Sequence, residues 1–104
     1  METDSIENGR EDKWLIHLYD NGSTWVAYER SAQLLSYIMG DFINVRSILY
    51  QETGSLILKA EIRKKDFTRL VPPACIVYDD VYHKILDFHI SPERFRIWME
   101  SEEI

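Results

Sequence analysis

Leu18-Tyr19-Asp20-Asn21-Gly22-Ser23-Thr24-Trp25-Val26-Ala27-Tyr28 decides how this chain folds. Two β-favouring runs, Trp14 to Tyr19 and Thr24 to Tyr28, flank the polar turn Asp20 to Ser23, and Asn-Gly accepts the positive φ angles of a type I′ turn. A hairpin is expected here. The period then changes, because Ala32, Leu34, Leu35, Ile38 and Met39 form an apolar stripe at helical spacing from Ser31 to Met39. Gly40 follows where a helix favours a left-handed terminal residue.

Further along, Asn44 to Tyr50 alternates, Glu52-Thr53-Gly54-Ser55 turns the chain, and Leu56, Leu58, Ala60 and Ile62 share one strand face while Lys59 and Glu61 point away. This is a second hairpin. Arg63 to Leu70 reads as a short helix, stopped by Val71-Pro72-Pro73. Ala74 to Tyr78 is a β-branched run, and Asp79-Asp80 connects it to an alternating strand over Tyr82 to Ile90, with a helix across 80–88 as the other option. Ser91-Pro92-Glu93 starts a final helix of about residues 92–102, with Phe95, Trp98 and Met99 on its inner face. The elements predict an α+β domain, with a mixed, mostly antiparallel sheet of five to six strands and two or three helices.

A chain of 104 residues suits one core, and 45% apolar with 12% aromatic residues is a globular composition. We expect residues 1–12 to be a disordered acidic leader and residues 13–104 to be the single domain. The net charge of -6 belongs to the two ends, since residues 13–99 carry ten acids against eleven bases. Cys75 is the one cysteine, so no disulfide can form within the chain and a reducing, cytoplasmic location is expected. No run reaches the roughly 18 apolar residues of a membrane helix, so no membrane association is expected.

The string Leu18-Tyr19-Asp20-Asn21-Gly22-Ser23-Thr24-Trp25-Val26-Ala27-Tyr28-Glu29-Arg30-Ser31-Ala32, with Gln33-Leu34-Leu35 after it, resembles the opening of the N-terminal mismatch-reading domain of the DNA repair ATPase MutS. In that family a strand leads through a Gly and an aromatic stretch to an amphipathic helix. Ala60-x-Ile62 before a short helix is a second point of likeness. The segment also resembles small bacterial proteins with a Gly-x-x-Trp/Tyr-x-Ala-Tyr-Glu-x-Ser-Ala pattern, which carry no assigned activity. The resemblance implies a shared fold. It does not imply mismatch reading, because Thr24 and Val26 stand where that family has the Phe that stacks on a base and the Glu that hydrogen-bonds to it.

Arg63, Lys64, Lys65 and Arg69 concentrate positive charge on one short helix and, with Arg46 or Lys59, could contact phosphates; an exposed Tyr50 or Trp25 beside them would stack on single strands. A solvated helix face accounts for the same residues and is preferred. Trp14, Trp25 and Trp98 are expected in the core, and Trp25, Tyr28 or Trp98 would mark an interaction surface if exposed. His83, Asp87 and His89 fall on one face of the Tyr82–Ile90 strand, but His83 and His89 would lie roughly 20 Å apart at about 3.3 Å per residue, too far to share a metal. Cys75, inside an apolar run, is expected to be an inert thiol, and Asp79-Asp80 to be turn residues. No phosphate loop or nucleophile elbow is present, and no cofactor or metal is implied. The expectation is a non-enzymatic intracellular interaction or accessory domain, with a homodimer or a protein as its partner. A nucleic-acid-binding accessory protein using residues 63–69 is the alternative, and a small hydrolase using Cys75 or His89 a third.

Overall fold

The structure, a computed structural model, describes residues 11–102. The strands are β1 (Ile16–Asn21), β2 (Thr24–Tyr28), β3 (Asn44–Tyr50), β4 (Ser55–Arg63), β5 (Ile76–Asp79) and β6 (His83–Leu86), and the helices are α1 (Glu29–Met39), α2 (Lys64–Leu70) and α3 (Pro92–Glu102). The strands form one sheet in the order β3-β4-β2-β1-β6-β5, and every pairing is antiparallel. The α+β class and both hairpins are as the sequence predicts. No described helix is long and apolar enough to cross a membrane.

The pleat separates two faces. Ile16, Leu18, Trp25, Ala27, Ala60, Ile62 and Leu86 meet Ala32, Leu34, Leu35 and Met39 of α1, Phe67 of α2 and Phe95 of α3 in one core. Each fully buried leucine or isoleucine contributes about 1.5–3 kcal/mol relative to exposure, so these central strands carry the fold. α3 reaches the core through α1, where Tyr37 meets Phe95 and Trp98 at centroid distances of 5.6 and 5.3 Å. The opposite face holds His17, Tyr19, Val26, Tyr28 and His83, alternating with the core residues along the same strands.

Four local expectations are corrected. The first turn is Gly22-Ser23, because Asn21 pairs with Thr24 and only Gly22 has a positive φ, 76°; one positive residue in the first loop position is the II′ pattern, not I′. Trp14 lies in a 3-10 turn, Asp12–Trp14, before β1. Its ring packs edge-on against Phe95 at 5.9 Å and under the Arg30 guanidinium at 4.6 Å. Asp12, expected to be the last leader residue, belongs to that turn; residues 1–10 of the expected leader lie outside the described residues.

The longest miss is β6, which stops at Leu86 where alternation runs to Ile90. Asp87 Oδ1 accepts the His89 amide at 2.7 Å, closing an Asx turn, and His89 adopts a left-handed φ of 55°. The turn takes the chain out of the sheet toward α3. Asp87 is buried at 1% exposure while the His89 side chain is exposed, so His83, Asp87 and His89 do not share a face.

Candidate functional site

Two surfaces on the sheet present chemistry, and they lie on different strands. The first is on the helix-free face. His17 and Tyr19 of β1 point the same way, and the β1–β6 register sets Tyr19 opposite His83 and His17 opposite Ile85, so His83 stands diagonal to His17. His17 Nε2 is 2.7 Å from Asp12 Oδ1, and His17 Nδ1 is 3.1 Å from His83 Nε2. An ionised carboxylate only accepts, so Nε2 of His17 carries a proton; with both imidazoles neutral, Nδ1 then accepts and His83 donates through its Nε2–H. The two imidazole centroids are 5.3 Å apart with 21° between planes, while their nitrogens approach much closer. The rings therefore meet edge to edge.

Aromatic rings frame this chain of bonds. Tyr19 lies parallel to His83, with centroids 4.8 Å apart and 6° between planes, and Tyr78 tilts against its other side at 5.5 Å. Burial and then the neighbouring His17 hold the His83 pKa below the ordinary histidine value. Tyr78 donates to Asp80 Oδ2 at 3.1 Å, and the Tyr82 amide donates to Asp80 Oδ1 at 2.9 Å. Those bonds lower the Asp80 pKa, the backbone one most, while the carboxylate raises that of Tyr78. Beside the network, where β1 and β2 splay at the start of α1, is an open hollow of about 550 Å³ lined by Asp12, His17, Tyr19, Tyr28 and Ser31. Ser31 Oγ accepts the His17 amide at 3.0 Å.

The second surface is the outer edge, β3. Val45, Leu49 and Tyr50 of β3, with Leu56 of β4 and Phe42 before β3, are all exposed, Leu56 at 69%. A shallow groove of about 390 Å³ leads from Val45 and Leu58 to Trp98 and Met99 of α3.

No family model, no curated protein and no solved structure matches this chain. Both surfaces therefore rest on their own geometry.

The residues singled out from the sequence are scattered. Of the basic residues on and beside α2, Arg63 and Arg69 both donate to Asp66, each at 2.9 Å, and Lys64 pairs with Asp20. The Asp66 pKa is lowered, first by Arg69 and then by Arg63, and Asp20 is lowered by Lys64. Among the described residues, Lys65 is the one of the four without an acidic partner. Trp25 is core at 5% exposure, with its ring against Phe67 at 6.1 Å and beneath the ammonium groups of Lys64 and Lys84 at 4.7 and 5.0 Å. It offers no surface for an interaction or for stacking. Tyr28 is exposed and borders the hollow, whereas Trp98 is half-buried and borders the groove. Cys75 is half-buried, and burial followed by the Asp87 charge pushes its thiol pKa up. Among the described residues no group of three or more His, Cys, Asp or Glu side chains could hold a metal ion. Sequence reasoning missed the His17–His83 contact, since the two residues lie 66 positions apart and only the β1–β6 register joins them.

Proposed function

We propose that this chain is a non-enzymatic interaction module that pairs with a second copy of itself along β3. The observation that carries this reading is the contrast between the two sheet edges. β3 is seven residues long and pairs with β4 without a register shift, and it contains no proline and one charge, Arg46. Such an edge offers a free row of backbone donors and acceptors.

A continuous antiparallel sheet with two-fold symmetry places a residue opposite one that points to the same face, and the midpoint of Asn44–Tyr50 is Ser47. Pairing about Ser47 sets Val45 against Leu49 and Arg46 against Ile48, so the apolar helix-side residues of the two copies meet. The small Ser47 sits on the axis. Leu56, one strand inward, extends the same apolar strip.

Other readings have less to draw on. Three of the four basic side chains on and beside α2 are tied to two carboxylates, Asp66 and Asp20, which halves the charge available to phosphates. The raised Cys75 pKa moves the thiol away from the thiolate a nucleophile requires. Sedimentation velocity over a range of concentrations tests the proposal: a monomer–dimer equilibrium is expected for the natural chain and a monomer for Ser47→Pro, with the far-ultraviolet spectrum preserved. A monomer at every concentration overturns it.

A further inference from the structure

The hollow on the helix-free face has a charge pattern that selects its ligand. Among the described residues, Asp12 contributes the one acidic group in its lining, and that side chain is 59% exposed although Oδ1 accepts from His17. Tyr19 and Tyr28, both exposed, stand with ring centroids 6.4 Å apart and planes tilted by 38°. Ring faces carry negative quadrupole potential and attract a cation within about 6 Å of the centroid, best when the cation is weakly hydrated. Among the described residues, no lysine or arginine lines the hollow. Lys59, which stands opposite Tyr28, has its ammonium 3.8 Å from Glu61.

We propose that the hollow formed by Tyr19, Tyr28 and Asp12 binds an alkylated ammonium group, the carboxylate supplying charge and the two rings supplying faces. The hydrogen-bond chain pre-organises these walls. Tyr19 is held by its stack on His83, His83 by His17, and His17 by Asp12, so one wall of the site positions the other. Ser31 anchors the His17 backbone to the first turn of α1. An inorganic cation such as Na⁺ keeps its hydration shell and gains little from the rings, whereas methylated ammonium sheds water readily. The hollow is open to solvent, which suits a headgroup carried on a longer molecule as well as a free amine.

The same headgroup occurs on small free amines and on methylated lysine side chains, and two probes separate these sources. Tetramethylammonium and N-acetyl-trimethyllysine amide are titrated at constant ionic strength, with NaCl as the control, while the ring protons of Tyr19 and Tyr28 are followed by NMR. Saturable shifts with tetramethylammonium but not NaCl are expected. Tighter binding of the lysine derivative assigns the source to a side chain, and equal binding to the headgroup alone. Tyr28→Leu should weaken binding about tenfold while Tyr28→Phe, which keeps the ring face, leaves it within about twofold. Asp12→Asn should weaken it and flatten its salt dependence. Shifts reproduced by NaCl, no saturable shift up to about 100 mM probe, or equal binding by Tyr28→Leu and the natural chain would each overturn the proposal.

Discussion

The two edges of the sheet are built on opposite principles. β5 is four residues long, its pairing with β6 is broken by a register shift between Ile76 and Tyr78, Pro72 and Pro73 precede it, and Asp79 and Asp80 close it. Short length, a bulge, proline and charge are the devices by which sheets refuse a further strand. β3 has none of them on its apolar side. The same chain thus guards one edge and leaves the other open, and the exposed Val45, Leu49 and Leu56 lie beside the open one. Tyr78, Val81 and Tyr82 are exposed at the β5–β6 hairpin as well, but there they accompany a short, bulged strand, whereas Val45, Leu49 and Leu56 share one face beside an unbroken free edge, which is the mark of an interface.

The sharpest way to break this contrast is a charge on each edge in turn. Val45→Lys should weaken self-association about a hundredfold or more, since two-fold symmetry removes two buried apolar contacts worth about 1.5 kcal/mol each. Tyr78→Lys on the guarded edge should leave the dimer unchanged, with both read from sedimentation isotherms.

A smaller effect separates the β3–β4 turn from the strands it joins. Gly54 has a φ of 73° and open space where a Cβ would lie, so Gly54→Ala meets backbone strain alone. It should lower the unfolding free energy by about 1–2 kcal/mol in a denaturant titration.

On the guarded side the test is pH. The folded His83 pKa lies below its unfolded value of about 6.5, so the folded state binds fewer protons and His83 contributes stability that is present above that pH and is lost as pH falls toward the folded value. Stability should therefore decline between about pH 7 and 5, before carboxylates titrate, and His83→Gln should flatten that decline in thermal unfolding curves. The smallest change is expected at Leu56: Leu56→Ala should alter monomer stability by less than about 0.5 kcal/mol, because this leucine is exposed within one copy. A larger loss, read in dilute solution by chemical denaturation, would place it in a core instead of at an interface.

How much of this was legible beforehand follows the range of the interactions involved. Both hairpins, α1 with its glycine end, and the Ser91-Pro92 helix start come from local periodicity and turn chemistry, and all are present, the first hairpin with a shorter turn than its polar residues predict. The end of β6 depended on one side chain, since Asp87 captures the His89 amide and overrides an alternation that continues for four more residues. Trp14 has the strand preference of an aromatic residue, yet its contacts with Phe95 and Arg30 decide its place. The site was less visible still. Arg63 and Arg69 stand out as a cationic cluster in one dimension, but Asp66 lies three positions from each and pairs with both, which lowers their combined charge. Nothing in the sequence joins His17, Tyr19 and His83, because strand order is set by pairings that no local pattern encodes. Tyr28, a candidate surface aromatic in the sequence, borders the hollow, though nothing near it in sequence points to Asp12 as a second wall.

The register of β3 is the most specific claim, and a crosslink reads it directly. In a Cys75→Ser background, Ser47→Cys places one thiol opposite its own copy, with Cβ atoms about 4.5–5.5 Å apart, within reach of a disulfide or a short bismaleimide. Gln51→Cys, beyond the end of β3, serves as the control. Mild oxidation should convert Ser47→Cys to a covalent dimer and leave Gln51→Cys monomeric. A Ser47→Cys chain that stays monomeric, or that crosslinks no faster than Gln51→Cys, would contradict pairing about Ser47.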